Sequence, residues 1–392
     1  MQRRGVLIVS ASTGTGHARA GEAMRQAVNL VDPEIPVTHV DLLSLAPAWV
    51  RAMYGGGYEL MATRAPWLWH RVYQGTDGDG WDRARWSSLA ERLLFKEFRN
   101  LLTGNPWELC LCTHFLPCQL AAGKPGLPPF ALAVTDFTLH RFWVQPGVRE
   151  YFVATDKLAG ELRNRVPRAR VHATGIPIAT TFTNAPTRSE ARAALGIPAA
   201  QQVALVMGGG LGLGVAEMVE ACLAGAPADA RVIAVCGKNL AAAERLRGLG
   251  IGGERLRVVG YVHDIERYIA AADVVVTKPG GLTASEALAC GRPLLVTRAI
   301  PGQETGNTRE LVAAGAAIAA ADDAEITHSM RRLFAGDGLL LGLAAAAQRL
   351  GRAGSAAEIA SLLRLGQVQH TAIIPGLRGE DRPALEQLPL AG

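Results

Sequence analysis

The residues best suited to chemistry lie in short loops that follow apolar runs. Glu286 stands within Asp273 to Asn307, DVVVTKPGGLTASEALACGRPLLVTRAIPGQETGN. Val274, Val275 and Val276 make an uninterrupted β-branched run, the pattern of a strand buried on both faces of a parallel sheet. Lys278, Pro279, Gly280 and Gly281 end it, and Thr283 or Ser285 is expected to cap a short helix from Ala284 to Cys290 that Gly291 closes. The first amides and positive end of such a helix, beyond a strand's C-terminal edge, form a seat for phosphate. A carboxylate in the helix's first turn is repelled by a diphosphate unless hydroxyl groups donate to it. Glu286 therefore reads as a ribose clamp and the Gly280–Gly281 turn as a phosphate contact. The competing reading is that Glu286 merely favours a helix N-terminus. Leu294 to Val296 makes a second short strand, followed by PGQETGN, which crowds Gln303, Glu304 and Asn307 into a loop where amides and carboxylates can read sugar hydroxyls.

The first half repeats the arrangement with other side chains. Gly5 to Ser10 is a buried-strand run that leads through Gly14 and Gly16 to His17, which opens a helix with Ala20, Ala23, Met24 and Ala27 at helical spacing. No Gly-Lys-Ser/Thr follows, and the full GxGxxG fingerprint is missing, so ATP and nicotinamide readings lose support. His114 follows the run Leu109 to Cys112, and Asp136 and His140 follow Phe130 to Val134. Each of these groups sits where a doubly wound sheet binds ligands. His17 reads as a base or as a helix-start residue, and Asp136 as a base or as an aspartate satisfied by loop amides.

The runs TKPGGLTASEALACGRP, PGQETGN, GTGHARAGEAM and TDFTLHRFWVQPGVREYFVATD together resemble glycosyltransferases of the monogalactosyldiacylglycerol synthase and processive diacylglycerol glucosyltransferase group, in glycosyltransferase family 28. They are more distantly similar to the peptidoglycan enzyme that adds N-acetylglucosamine to a lipid-linked muramyl peptide. The resemblance implies an α/β protein of the GT-B fold, with two Rossmann-like, doubly wound parallel-sheet domains facing a central cleft. The C-terminal domain would hold a UDP-sugar and the N-terminal one a lipid acceptor. His17 would lie between the two substrates as base or charge stabiliser, with Asp136 as its partner or as the base itself and His114 as a second candidate. Gly16 and Trp143 would face the acceptor. The backbone at Val262 would read the uracil ring. From their own chemistry, the glycines of GGGLGLG, Gly209 and Gly210 among them, let backbone amides approach a diphosphate, and Lys238 reads either as a phosphate contact or as a loop cap. Gly21 stands where the family usually has alanine, a change expected to touch only helix stability.

The remaining sequence sets bounds. At 392 residues, with 49% hydrophobic and 19% charged residues, the chain is long and apolar enough for two cores. The proline- and alanine-rich stretch between about 178 and 200 marks the boundary, giving domains 1–185 and 186–365 and a tail 366–392. A net charge of +5 without a basic block gives no sign of nucleic acid, and an anionic membrane surface or a diphosphate fits it as well. Trp49, Trp67, Trp69, Trp81 and Trp86 lie among arginines, a composition that suits a bilayer interface as well as ordinary packing. No apolar stretch is long enough to span a membrane, and the start reads as a strand rather than a signal peptide. The expected location is cytoplasmic, peripheral to the inner face of the cell membrane. Six scattered cysteines support neither disulfides nor a zinc ribbon, and no paired acids suggest a metal site, so no cofactor is expected. The expected partners are UDP-glucose or UDP-galactose and diacylglycerol or a related lipid. N-acetylglucosaminyl transfer to a polyprenyl-linked acceptor, or a non-catalytic nucleotide-sugar sensor, remain the alternatives.

Overall fold

A computed structural model describes residues 4–12, 14–49, 51, 95–299 and 303–363. Trp67 and Trp69, and the tail after residue 365, lie outside them. The first sheet contains β1 (Gly5–Ser10), β2 (Val37–Asp41), β3 (Trp107–Cys112), β4 (Phe130–Ala133), β5 (Val148–Phe152) and β6 (Arg170–His172), in the order β2-β1-β3-β4-β5-β6. The second contains β7 (Val203–Met207), β8 (Arg231–Val235), β9 (Leu256–Val259), β10 (Val274–Thr277), β11 (Leu294–Thr297) and β12 (Ala317–Ala320), in the order β12-β11-β10-β7-β8-β9. All pairings in both sheets are parallel. The expected pair of doubly wound sheets is therefore present. β1, β7, β8, β10 and β11 are buried along their whole length, and their sequences are accordingly apolar except at strand ends, where Ser10, Arg231, Thr277 and Thr297 stand.

The strand orders decide which loops meet. In the first sheet the order reverses between β1 and β3, so the loops bearing His17 and His114 are neighbours. In the second it reverses between β7 and β10, which brings the GGGLGLG and TKPGG turns together.

Between the sheets, the helix Arg188–Leu195 starts in a capping box made by Thr187 and Glu190. Its fully buried Arg192 pairs with Asp273, the residue before β10, at 2.8 Å, and Arg188 pairs with the same carboxylate at 2.7 Å. That helix is thereby anchored to the second sheet. The chain also crosses back to the first sheet near its end. Ala356, Ile359 and Ala360 of the helix Ser355–Leu362 pack with Val6, Ile8, Ala23 and Ala27 of the first half. An alanine-rich helix carries no mark in its sequence of which sheet it covers.

Candidate active site

The turn after β1 is fixed from the side by β2. Asp41 accepts from the Ser12 amide at 3.0 Å and from its hydroxyl at 2.6 Å. Helix α1 (Thr15–Val31) then starts behind Gly14, whose φ of 131° few other residues adopt. His17 lies in its first turn. His17 Nδ1 stands 2.9 Å from the Thr113 carbonyl oxygen and 3.0 Å from Thr135 Oγ1, and the Thr113 hydroxyl donates back to the His17 carbonyl at 2.8 Å. A carbonyl only accepts, so Nδ1 carries the ring proton and Nε2 keeps the lone pair. Loss of water lowers the His17 pKa, against the opposing pulls of the Asp136 charge and the Thr113 carbonyl. The ring is thus neutral near pH 7 and able to take a proton.

The other candidates in this half surround it. His114 meets His17 edge-on with centroids 4.7 Å apart. It caps the helix Phe115–Ala121, and its Nδ1 accepts from the Leu116 amide at 3.1 Å. Burial first, and His17 second, push its pKa well down. With that lone pair committed to the cap, His114 shapes the wall around His17. Asp136 is buried and accepts from Trp143 Nε1 at 3.1 Å and from Asn307 Nδ2 at 3.2 Å. Trp143 was expected along an acceptor channel. At 3% exposure it forms a wall of this cluster, 6.3 Å from the His17 ring centroid.

On the opposite side three expectations are corrected. The helix after β10 is Gly281–Ala289, not Ala284 to Cys290, and neither Thr283 nor Ser285 caps it, since its N-cap is Gly280. The cause is a close approach between the two halves: a Cβ on Gly281 would lie 2.0 Å from the Thr135 carbonyl oxygen. The earlier start moves Glu286 into the second turn, where it is 1% exposed and pairs with Arg19 of α1. Its Oε2 is buried and has no hydrogen-bond partner among the described residues. Burial raises its pKa to about 7; Arg19 acts in the opposite sense, and Glu266 adds to the rise.

The third correction concerns PGQETGN. Gln303, Glu304 and Asn307 open the helix Gln303–Ala313 and do not lie in a loop. Asn307 is fully buried. Its Oδ1 accepts from the Phe137 amide at 2.8 Å, and its Nδ2 donates to Asp136 Oδ1 and to the Pro279 carbonyl at 3.1 Å. Those bonds use both amide hydrogens, so Asn307 ties the halves together where a sugar contact was expected. Glu304 is half-buried.

GGGLGLG folds on itself. The Leu213 amide donates to the Gly208 carbonyl at 3.1 Å and the Gly212 amide to that of Gly209 at 3.0 Å. A Cβ on Gly210 would lie 3.0 Å from Thr15, and one on Gly16 would lie 3.9 Å from Leu282, so both turns face α1 and the Gly281 helix across one crevice. The Lys238 amide donates to the Gly210 carbonyl at 3.3 Å, with its side chain exposed. Val262 after β9 and Lys278 after β10 are half-buried at the same end of the second sheet. Sequence reasoning missed Arg19, Thr113 and Thr135. Arg19 stands inside the motif that singled out His17, and the threonines adjoin His114 and Asp136, which are the only signals they give.

Comparison with known proteins bears on this crevice directly. Residues 17–178 match the monogalactosyldiacylglycerol (MGDG) synthase family model. Residues 213–335 match that of glycosyl transferases group 1. The resemblance read in the sequence stands on these matches. The chain is 34% identical over 218 residues to a processive diacylglycerol beta-glucosyltransferase of Bacillus subtilis, over 55% of this chain and 56% of that protein. It therefore spans about half the length of the curated relatives it matches. Among solved structures, MurG of Acinetobacter baumannii superposes with a TM-score of 0.56 at 16% identity, over 92% of this chain and 99% of that one. A UDP-GlcNAc 2-epimerase of Neisseria meningitidis bound to UDP-GlcNAc gives 0.59 at 14% identity, over 91% and 99%. The fold is GT-B. It is shared by proteins of different chemistry, so the choice of reaction rests on the side chains.

Proposed function

We propose that the chain moves a hexose from a UDP-sugar to a membrane lipid, most simply diacylglycerol, with inversion at the anomeric carbon. The observation that carries the reading is the His17 ring, held neutral with its proton on Nδ1, beside the turn that opens the Gly281 helix. The acceptor hydroxyl gives its proton to Nε2 as its oxygen bonds to the anomeric carbon. The bond from that carbon to the diphosphate breaks, and UDP leaves with the electron pair. Amides of the Gly281 helix and of Gly208–Gly214 meet the charge on the leaving group. Asp136 stabilises the imidazolium that forms, and Glu286 accepts from the ribose hydroxyls. The name of the Bacillus subtilis relative supports glucose as the sugar and diacylglycerol as the acceptor. Among the described residues no helix is long and apolar enough to cross a membrane, and we place the protein peripherally on the inner membrane face.

The test supplies vesicles of diacylglycerol and an anionic phospholipid with UDP-glucose or UDP-galactose, and follows released UDP and lipid masses. A glycosylated diacylglycerol is expected. His17→Ala should lower transfer by about 10² to 10⁴ and leave UDP binding intact. Absence of glycolipid with either sugar, or full transfer by that variant, would refute the proposal.

A further inference from the structure

Arg19 and Glu286 are 267 residues apart in sequence and meet across the crevice. Arg19 belongs to α1 of the first half and is 38% exposed, whereas Glu286 belongs to the Gly281–Ala289 helix of the second and is 1% exposed. The contact is single and uses Oε1 only. Oε2 stays buried without a donor among the described residues, although buried carboxylate oxygens are rarely left so. Asn307 shows what a contact between the halves looks like when its only task is to hold them: every amide hydrogen is used within the protein. Glu286 is held at one oxygen, and its other oxygen is buried without a donor among the described residues.

We propose that Arg19 is a positioning residue for nucleotide binding: it fixes the Glu286 carboxylate through Oε1 and favours its ionised form, so that Oε2 accepts from a ribose hydroxyl. The first half of the chain thereby prepares the nucleotide site of the second. This rests on the reading of Glu286 as a ribose contact. The charges around Glu286 are few. Arg19 faces it from α1 and Glu266 from the helix Ile265–Ala271, while the helix Leu339–Leu350 packed on it contributes only Arg349 as a charged residue. Cys290 beyond its own helix has its thiol pushed up to about 12, by burial first, with Glu286 contributing, and so stays neutral. Arg19 is thus the cation acting on this carboxylate, and without it burial and Glu266 both favour the protonated form.

UDP and 2′-deoxy-UDP binding by calorimetry, from about pH 6 to about pH 9, tests the assignment on the intact chain. Arg19→Met should weaken UDP binding about fivefold near pH 7, as one unit of upward shift in a carboxyl titrating at about 7 implies, with the affinity returning as pH rises. Arg19→Lys should restore most of it. The preference for UDP over 2′-deoxy-UDP should shrink in Arg19→Met and Glu286→Gln alike. Unchanged UDP affinity in Glu286→Gln would remove the ribose contact itself. A weakened Glu286→Gln beside an Arg19→Met that binds like the parent at every pH would overturn the role of Arg19 alone. So would a loss in Arg19→Met that is the same at every pH.

Discussion

Asp136 and Glu286 are carboxylates of equal burial on opposite sides of one crevice, and they are provided for very differently. Asp136 accepts from Trp143 and Asn307, the second reaching it from the other half of the chain. Glu286 has Arg19 on one oxygen and nothing on the other among the described residues. A buried anion without donors is costly, and so is a buried acceptor left unmade. Asp136 is built into the frame that holds His17, whereas under the proposed function Glu286 would be completed by ribose hydroxyls. The two also act through different properties: Asp136 through a fixed charge near a neutral imidazole, Glu286 through an oxygen able to accept.

The contrast breaks most visibly at Asp136. Asp136→Ala leaves Trp143 Nε1 and Asn307 Nδ2 buried without acceptors, and should cost roughly 3 kcal/mol in urea unfolding. The same change removes the charge that raises the His17 pKa and supports its protonated form. Transfer should fall by about two orders of magnitude. An unfolding midpoint equal to the parent's would show that Asp136 is no part of the frame.

Gly281→Ala tests the crevice between the two carboxylates. Its Cβ would lie 2.0 Å from the Thr135 carbonyl oxygen, so the halves must shift apart. A displacement of about 1 Å is expected to lower transfer about 10²-fold while UDP binding changes only a few-fold. Parallel losses of both would mean that the turn serves the nucleotide and not the alignment.

Glu286→Gln should do the reverse of Asp136→Ala. UDP binding should weaken about tenfold, a charge-assisted contact becoming a neutral one. Stability should change in the opposite direction. The folded state holds the Glu286 proton more tightly than the unfolded chain, so this group's contribution falls as pH rises from about 4.5 to about 7 and is level above. The glutamine variant lacks that fall. Thermal melts should coincide near pH 4 and favour the variant at pH 8, and a variant less stable at pH 8 would contradict the sign.

The strands were legible because burial on both faces forces apolar runs. The histidine and aspartate loops were legible because strand order sends them to one edge. What could not be read depends on atoms from the other half. The helix starts at Gly281 because the Thr135 carbonyl stands against it, and no local propensity signals that. Asn307 looked like a sugar reader because an amide in a polar run is indistinguishable from one until its partners, Phe137, Asp136 and Pro279, are in place. Arg19 was passed over for the same reason.

Gly21 offers the smallest and most local test. Its replacement of the family's usual alanine was expected to concern only helix stability, yet a Cβ there would lie 2.4 Å from His39 Nε2. His39 is held by Ser10 Oγ at 3.0 Å and lies near Glu22, so its ring has little freedom to retreat. Gly21→Ala therefore sets about 1 kcal/mol of helix propensity against loss of the Ser10 contact and displacement of the ring. The net effect should be a loss of about 1 kcal/mol by urea unfolding. The double variant with His39→Ala should recover the propensity gain, because the clash goes with the ring. UDP binding should be unchanged in both, since Gly21 lies over β2 on the side of α1 away from Glu286. A single variant more stable than the parent would show that His39 yields freely and that glycine at this position is not required by packing.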